Sequence, residues 1–309
     1  MSTSNDTSPA TALLQVIGNA DIAIPTADDV PKFRIPWNSR VSQRELARLL
    51  ERPTTVALWM PRTGEFLLSG PWRNRSEITS IVDIAATASA LELLRVWARY
   101  CAARGFEAIV ASEQAEKRRQ EFYLAAGMEL LEEIVVYEMD RLRIPPAGRP
   151  VLTFAPVNMS NVEERAELER LDHAAFPWFW WNSPEEFRDY ADAPGVTIDL
   201  GRDAVGRPLA YVGYTRFRTW GHLDRIAVQP DTQGQGLGRV ALDHGLRTMG
   251  SAGARRIALS TQANNIRSRR MYESAGFRRN VSHDYRVWGV RFPRTSQPVP
   301  TTDATADDR

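Results

Sequence analysis

The chain has 309 residues, about twice the length of an ordinary domain, so two domains are the first expectation. Its composition, 43% hydrophobic and 25% charged, supplies apolar side chains for two cores and excludes collagen-like, coiled-coil and wholly disordered chains. The 39 Lys and Arg nearly balance the 38 Asp and Glu, and a net charge of +1 argues against nucleic acid or an anionic membrane as the partner.

Location is suggested by the single cysteine and by the absence of long apolar runs. Cys101 cannot form an internal disulfide, which favours a reducing compartment. No apolar run reaches the ~20 residues of a membrane span, and the polar first ten residues differ from a signal peptide. We therefore expect a cytoplasmic protein with no membrane partner, either a monomer or a homodimer, with disordered tails at about 1–12 and 293–309.

In the first half, hydrophobic patterns predict strands and helices in the order strand, strand, strand, helix, strand, helix, strand. The ranges are 55–59, 65–69, 78–84, 89–103, 108–111, 117–126 and 134–139. On the helix at 89–103, Cys101 shares one stripe with Leu91, Leu94 and Ala98, which predicts a core position and not a nucleophile.

In the second half, a similar order follows an added strand and two added helices. Strands are predicted at 151–155, 196–200, 209–217, 222–228, 256–260 and 285–290, and helices at 162–175, 184–191, 238–249 and 268–275. Ser183 is the predicted N-cap of the helix at 184–191. Neighbouring strands without regular alternation with helices predict an α+β fold, with a mixed, mostly antiparallel sheet flanked by helices.

The two halves resemble each other at a fixed offset. Residues 104–114 (RGFEAIVASEQ) match 252–262 (AGARRIALSTQ) at a shift of 148, and 123–128 (YLAAGM) matches 272–277 (YESAGF) at a shift of 149. Such ordered matches indicate a tandem duplication. The predicted domains are 1–144 and 145–292.

Three glycines, Gly234, Gly236 and Gly238, follow the strand at 222–228 and precede a helix. Glycine permits positive φ and lets a ligand approach bare N–H groups, and a helix N-terminus favours an anion. The loop therefore predicts a phosphate or pyrophosphate site in preference to a merely flexible turn.

Two familiar phosphate loops fit this segment poorly. A Walker loop needs Lys and then Ser or Thr after its last glycine, but Arg239 and Val240 stand there. The dinucleotide fingerprint is met as Gly236-x-Gly238-x-x-Ala241, but the next strand, ending at 262, carries no acidic residue for the ribose. An NAD-dependent oxidoreductase is therefore the third-ranked alternative.

The pattern Gln233-x-x-Gly236-x-Gly238 resembles the acetyl-coenzyme A loop of GCN5-related N-acetyltransferases (GNAT). The resemblance extends over 151–292 and includes a later Asn265 and the run Tyr272-x-x-x-Gly276-Phe277. It implies two tandem GNAT domains and acetyl-CoA as cofactor. By resemblance, the cofactor would contact Ile226, Ala227, Val228, Gln233, Gly234, Gln235, Gly236, Leu237, Gly238, Arg239, Asn265 and Tyr272.

The resemblance also implies catalytic roles. Tyr272 stands at the family's tyrosine position, where a phenol can protonate the departing thiolate; alternatively it is a core aromatic. Strand alternation predicts His222, Asp224, Ile226 and Val228 on one face, so Asp224, with His222 behind it, is the candidate base. The alternative is that Asp224 pairs with Arg225 or Arg216. Four scattered histidines and one cysteine predict no metal site.

The acceptor is predicted to contact an aromatic segment between the helices at 162–175 and 184–191. Phe176, Trp178, Trp180 and Trp181, together with Asp172, suggest a pocket for an amine with an apolar body. The alternative is that these aromatic side chains fill the interface between the two halves.

The first half lacks the glycine loop. At a shift of 148, Ala86, Ala88 and Ala90 stand in place of the three glycines, so a degenerate copy without the cofactor is expected. The chain as a whole is predicted to acetylate a primary amine of a small molecule or peptide by direct attack in a ternary complex. The alternatives are acetylation of a cysteinyl-sugar amine, as in mycothiol synthases, and a non-catalytic acyl-CoA sensor.

Overall fold

Residues 21–37, 39–114, 118–146 and 151–293 are described by the computed structural model, and apart from Pro293 the two predicted tails lie outside them. In the described part of the first half there are five strands and three α-helices. They are β1 Val56–Trp59, β2 Phe66–Trp72, β3 Arg75–Ala85, β4 Ala108–Ser112 and β5 Glu129–Met139, with α1 Gln43–Leu50, α2 Ala90–Ala103 and α3 Gln120–Ala125.

The described part of the second half has seven strands and four α-helices. The strands are β6 Thr153–Pro156, β7 Val196–Arg202, β8 Pro208–Phe217, β9 Trp220–Val228, β10 Arg256–Gln262, β11 Arg278–Arg279 and β12 Tyr285–Arg291. The helices are α4 Val162–Ala175, α5 Pro184–Asp192, α6 Leu237–Ser251 and α7 Ile266–Ser274. Ser183 caps α5 as predicted, because its side chain accepts a hydrogen bond from the Glu186 N–H.

All described strands join one mixed sheet, which confirms the predicted fold class. The order is β1-β2-β3-β4-β12-β5-β10-β9-β8-β7-β6, with β11 beside β5. Each predicted helix and strand is present, whereas α1 and β11 were not predicted from the sequence. α1 is amphipathic, with Leu46 buried and Ala47, Leu49 and Leu50 packed beside it, so its periodicity was present in the sequence and was missed.

The last strand of the described part of the chain lies within the sheet of the first half. β12 is antiparallel to β4 on one side and to β5 on the other. Its Trp288 is buried and stacks on Tyr123 of α3, with ring centroids 5.4 Å apart. The core that contains Cys101, Trp97 and Tyr123 is therefore completed by a strand from the other end of the chain.

The exchange is reciprocal, because β5 contributes to the second half. Its beginning pairs with β12, and its remainder, Ile134–Met139, pairs with β10. The crossing is secured at Val136, whose N–H donates to the Asp284 carboxylate (2.8 Å) and whose carbonyl accepts from the Asn280 N–H (2.8 Å). The hydrogen-bonded sheet thus continues across the predicted boundary at 144/145. That boundary stays a prediction of where one copy of the repeat ends and the next begins.

Helices cover both faces of the sheet in the second half. On one face, α6 buries Leu237, Ala241, Leu242, Leu246 and Met249 against β5, β8, β9 and β10. On the other face, α4 and α5 bury Leu168, Leu171 and Phe187 against β7 and β8. Both faces are therefore covered, which leaves the gaps between strands as the places where a ligand can approach the backbone.

One such gap opens between β9 and β10. These strands are parallel, and their pairing ends at Leu223 and Leu259. Beyond that point 225–228 stays paired with β8, and no residue of 224–228 has a partner on β10. β3 and β4 separate in the same way after Ser80 and Val110.

We expect Gly289→Ala in β12 to destabilise the whole chain. A Cβ at Gly289 would lie 2.2 Å from the carbonyl oxygen of Ile109, which is backbone and cannot move aside locally. The expected loss is about 1–3 kcal/mol of unfolding free energy, measured by urea denaturation. The control is Gly70→Ala in β2, where the nearest atom is a Val82 methyl at 3.7 Å. Equal stability of the two variants would contradict the importance of this close strand packing.

Candidate active site

The gap between β9 and β10 forms a cleft of about 410 Å³. Its wall includes the end of β9, the glycine loop, α7, the segment after α4 and Glu132 of the first half. The predicted residues that line it are Phe176, Trp180, Ile226, Ala227, Val228, Gln233, Gly234, Gly238, Asn265 and Tyr272. The structure thus brings together most of the predicted loop, strand and α7 residues.

The backbone of β9 faces this cleft with unpaired groups. The Gln229 N–H donates to the Leu209 carbonyl of β8 (2.8 Å), so residue 229 is in the hydrogen-bonded register. Neighbouring residues on an antiparallel strand alternate in direction, and the N–H and carbonyl of Val228 therefore point away from β8. A donor on Val228 and one on Ile226 are thus directed into the gap that β10 leaves open.

The glycine loop needs its glycines for backbone geometry. Gly234 and Gly236 have φ of 88° and 84°, and Gly236 is the N-cap of α6 with no side-chain capping bond. The first amides of α6 have no intrahelical acceptor, and the helix dipole favours an anion there. Nothing lies within 4 Å of a Cβ built on Gly236. The helix end is therefore open to a ligand.

Gln233 connects this loop to the strand and to α7. Its Nε2 donates to the Val228 carbonyl (3.1 Å), and its Oε1 accepts from Arg267 Nη1 (3.0 Å). Arg267 lines the cleft and brings a cation to the glycine loop. The sequence-based prediction did not include Arg267, although Arg118 at the corresponding place of the repeat is also an arginine.

Four other predicted loop and strand residues have contacts outside the cleft. Leu237 packs in the α6 core, and Ala227 packs against the α4 and α5 side. Arg239 donates to Asp243 (2.7 Å) and to Ser274 (3.3 Å). Gln235 is exposed and its N–H donates to the Thr232 carbonyl. Leu237 and Ala227 therefore offer a ligand in the cleft only their backbone groups.

Tyr272 and Asn265 of α7 stand at the centre of the cleft wall. Tyr272 is 6% exposed, and burial raises the pKa of its phenol to about 12. It therefore keeps its proton through the neutral range. Asn265 caps α7 by accepting from the Ser268 N–H (3.2 Å), so the alternative of an ordinary cap describes its present contacts. Their roles toward a ligand stay predictions.

Asp224 accepts hydrogen bonds from three side chains, and none of the three is an arginine. They are His222 Nδ1 (2.6 Å), the Tyr190 hydroxyl (2.5 Å) and the Thr215 hydroxyl (2.7 Å). Burial, followed by the charge of Asp224, raises the pKa of Tyr190 well above its ordinary value. Tyr190 therefore stays a donor to Asp224.

The prediction that four alternate residues of β9 share a face is wrong. Gly213 pairs with Arg225 and Tyr214 with Leu223, so Asp224 is the extra residue of a β-bulge. As a result Leu223, Ile226 and Val228 all pack toward the α6 core, whereas Asp224 meets Tyr190 of α5 on the other side. The bulge displaces Asp224 and His222 relative to Val228.

Asp172 does not contact the acceptor space, contrary to the prediction. It is completely buried and accepts from Arg225 Nε (2.7 Å), the Asn182 N–H (3.0 Å) and the Tyr211 hydroxyl. Arg225 also stacks on the Phe176 ring and donates to the Trp180 carbonyl (2.5 Å). Asp172 therefore fixes the aromatic segment through Arg225.

The aromatic segment serves both purposes that the sequence left open. Phe176 and Trp180 line the cleft. Trp178 instead lies under the Arg75 guanidinium of the first half, with 4.6 Å from Cζ to the ring centroid. Trp181 stacks on His173 at 4.4 Å. Phe176 and Trp180 thus lie where the predicted acceptor wall would be, whereas Trp178 lies at the interface between the two halves.

The first half also contributes a hairpin to this site. β2 and β3 are joined by Arg73 and Asn74, both with positive φ (54° and 52°). Trp72 Nε1 donates to the Phe179 carbonyl (3.0 Å), and Asn74 donates to Glu186 (3.0 Å) and Asp189 (2.9 Å). Arg73 lines a small cavity of about 120 Å³ that adjoins the cleft. We call this space the inner cavity.

The counterpart of the cleft in the first half is filled by the protein itself. Four residues, 86–89, separate β3 from α2, whereas eight, 229–236, separate β9 from α6. The helix starts thus align Ser89 with Gly236, one residue from the predicted shift of 148. The Glu65 carboxylate accepts from the N–H groups of Thr87 (2.8 Å), Ala88 and Ser89 (both 3.3 Å).

The strand gap of the first half is also closed. Arg118 Nη2 donates to the carbonyls of Ile84 (3.2 Å) and Ala86 (3.0 Å) at the end of β3. These are the groups that correspond to the open backbone of β9. A carboxylate thus holds the helix amides and a guanidinium holds the strand carbonyls.

Residues 160–277 match the model of the Acetyltransferase (GNAT) family. This segment of the second half is therefore similar to the GNAT acetyltransferases. Over 129 residues the chain is 28% identical to the [ribosomal protein bS18]-alanine N-acetyltransferase of Salmonella typhimurium, covering 40% of this chain and 80% of that protein.

Two solved structures extend the likeness in fold over both halves. The GCN5-related N-acetyltransferase of Sphaerobacter thermophilus is 15% identical, covers 87% of this chain and 95% of its own, and has a TM-score of 0.57. A tandem GNAT protein from the clavulanic acid biosynthesis pathway is 12% identical, covers 88% and 98%, and has a TM-score of 0.52. The fold is thus that of a tandem GNAT protein. None of the described helices has the length and hydropathy needed to cross a bilayer.

We expect Glu65→Gln to lower the melting temperature at neutral pH and to flatten its fall in acid. Burial alone raises the pKa of Glu65, but the amides of Thr87, Ala88 and Ser89 and the Ser89 hydroxyl lower it overall. A lowered carboxyl pKa stabilises the fold above the ordinary value of 4.5, and this contribution is lost as the pH falls through the lowered pKa. Thermal melts between pH 3 and pH 7 measure the effect.

The control is Glu92→Gln in the first turn of α2, which makes the same charge change at an exposed position. If the two variants lost the same stability with the same pH dependence, the contact of Glu65 with the amides would not be the cause.

Proposed function

We propose that this protein transfers an acetyl group from acetyl-CoA to a primary amine, by direct attack within a ternary complex. The observation that carries the proposal is the junction of three features in one cleft: open helix amides, unpaired backbone donors on β9, and the protonated Tyr272. The family match supports acyl transfer as the reaction class. The alanine N-acetyltransferase among its relatives supports an amine acceptor.

The residues present fit the proposed cofactor. Bare amides at an uncapped helix end suit a pyrophosphate, and the space beside Gly236 is free of other atoms. Arg267 adds positive charge beside Gly234. The backbone of Ile226 and Val228 can pair with the amides of the pantetheine arm as a neighbouring strand would. Acetyl-CoA, when bound, supplies the acetyl group as a thioester.

The chain supplies three kinds of help to the reaction. Positioning both substrates in one cleft removes much of the entropic cost of their encounter. The Val228 N–H is aimed at the open gap, where it can stabilise an oxygen that gains negative charge. Tyr272 can give its proton to the departing thiolate. The C–N bond forms, the C–S bond breaks, and the proton of the amine must reach a base.

We assign Asp224 as that base, with His222 behind it. Asp224 lines the inner cavity, and its carboxylate accepts a hydrogen bond from His222 Nδ1 at 2.6 Å, so the imidazole orients the carboxylate that takes the proton of the amine. Tyr190 and Thr215 fix the carboxylate in place. A water between Asp224 and the amine would serve the same chemistry.

We further propose that the first half binds no cofactor and acts as a structural partner that closes the acceptor side. Its support is the filled helix end at Glu65 and the filled strand gap at Arg118. One equivalent of coenzyme A per chain is the stoichiometry that follows.

We expect Gly236→Ala to weaken coenzyme A binding at least tenfold in titration calorimetry. The added methyl strains a residue at φ 84° and projects beside the amides that would hold the pyrophosphate. The matched control is Gly206→Ala in the β7–β8 hairpin, which has φ 86° and equally open space. Both variants should lose about 1 kcal/mol of stability. Unchanged affinity in Gly236→Ala, or two equivalents bound by the wild type, would contradict the assignment.

We expect Tyr272→Phe to lower kcat about 100-fold in a thiol-release assay run on an amine library. Asp224→Asn should lower kcat/KM at least tenfold and flatten its rise with pH. Tyr123→Phe, at the corresponding position of the first half, is the control and should retain wild-type turnover. If coenzyme A binds but no amine is acetylated, the chain is an acyl-CoA sensor and the proposed enzyme is refuted.

A further inference from the structure

The inner cavity lies where β9 and β10 separate, beside Tyr272 and Asp224. Its volume is about 120 Å³, much less than that of the main cleft. Two arginines also line it, Arg73 from the first half and Arg225 from β9. A space bounded by the proposed acid, the proposed base and two guanidinium groups must select its occupant by charge.

The other two charged groups on this wall already have partners. Arg225 is held by the buried Asp172 carboxylate at 2.7 Å. Asp224 is bonded to His222 at 2.6 Å. These pairs belong to the second half, and neither of them leaves a cation free to face the cavity.

Arg73 is different, because no carboxylate within 4 Å pairs with it among the residues that the structure describes. Its Nη1 donates to the amide oxygen of Asn182 (2.6 Å), and its guanidinium lies over the Trp180 ring at 5.0 Å. Its Nε is buried and has no hydrogen-bond partner in the described part of the chain. Burial, followed by the neighbouring Arg225, lowers the pKa of Arg73 to about 10 against the opposing effect of Glu186 and Asp172, so it stays charged at neutral pH.

A guanidinium whose Nε is buried and unpaired is costly unless an anion or acceptor completes it. The nearby Glu186 is already bonded to Asn74, and burial raises the pKa of its carboxyl. The hairpin holds Arg73 in a left-handed conformation (φ 54°), which side chains other than glycine adopt only when surroundings enforce it. The fold therefore maintains a fixed guanidinium at the inner cavity, on which the charges of Glu186 and Asp172 act without a carboxylate in ion-pair contact.

We propose that Arg73 binds a carboxylate of the acceptor, so that the substrates are small amines that carry a carboxylate group, such as amino acids. The inference rests on the proposed acetyltransferase function and adds the substrate class. A guanidinium matches a carboxylate in a planar, two-bond geometry, and one carboxylate neutralises one arginine. The amine of the same molecule then lies toward Asp224 and Tyr272.

This arrangement gives the first half a defined part in specificity. It donates Arg73 at the tip of β2–β3, and the neighbours Trp72 and Asn74 fasten that tip to the segment after α4. The first half, although it holds no cofactor of its own, would thus still contribute to recognition of the acceptor.

The test uses pairs of primary amines that differ only in a carboxylate or its carboxamide, for example glycine and glycinamide, β-alanine and β-alaninamide, and phenylalanine and phenylalaninamide. The wild-type chain, saturated with acetyl-CoA, should show a kcat/KM at least tenfold higher for the acid in one or more pairs, through a lower KM. Arg73→Gln should reduce that acid-to-amide ratio to near one, and Arg73→Lys should retain part of it.

A second variant keeps the inference testable if Arg73→Gln fails to fold. Asn182→Asp leaves Arg73 in place but gives it a carboxylate partner, and it should lower the acid-to-amide ratio as Arg73→Gln does. Calorimetry with coenzyme A on each variant reports whether the main cleft is intact.

The outcomes separate the two proposals. Acetylation of neutral amines with no acid preferred in any pair would keep the acetyltransferase and overturn the role of Arg73. Equal losses for acid and amide in both variants would also overturn it, because that result means a purely structural arginine. Absence of acetylation across the whole amine library would instead refute the proposed function itself.

Discussion

The exchange of strands between the halves is the constraint on which the site depends. β5 is bonded to β12 through its beginning and to β10 through its remainder, so the two sheets cannot move independently. This continuity brings Glu132 to the cleft and Ile134 to the inner cavity, and it fixes the β2–β3 hairpin against the segment after α4. Long-range strand pairing carries a loop-closure cost, which the buried Trp288 and its neighbours in the first core offset.

The two helix ends show how one scaffold can be open or closed by local chemistry. At α2, a short connection and the carboxylate of Glu65 satisfy the amides that a helix start always leaves unpaired. At α6, a longer loop with Gly236 as N-cap has no side chain in that place. In the first half the anion that binds the helix amides is a side chain of the protein, whereas in the second half the helix amides remain available to a ligand.

Charge pairing inside the second half is equally selective. Asp172 and Arg225 form a buried pair that holds the aromatic segment, and Tyr211 completes it. Asp224 and His222 form a second pair at the bulge of β9. The two predicted acidic residues therefore have different surroundings: Asp172 is enclosed, whereas Asp224 borders a cavity. Burial of Arg73 without such a partner stands out against this background.

The sequence by itself determined the repeat, the α+β class, the positions of most helices and strands, and the glycine loop, because these follow from local periodicity and from the special backbone of glycine. It also placed Cys101 in the core and Tyr272, Gln233 and Val228 together. It could not reveal the bulge at Asp224, since one extra residue on a strand changes no composition yet reverses which face each side chain takes. It could not reveal the burial of Asp172 or the approach of Arg73, since each depends on residues about 50 to 110 positions away. Local chemistry decided what the loop can hold, and only the tertiary exchange of strands decided which side chains surround it.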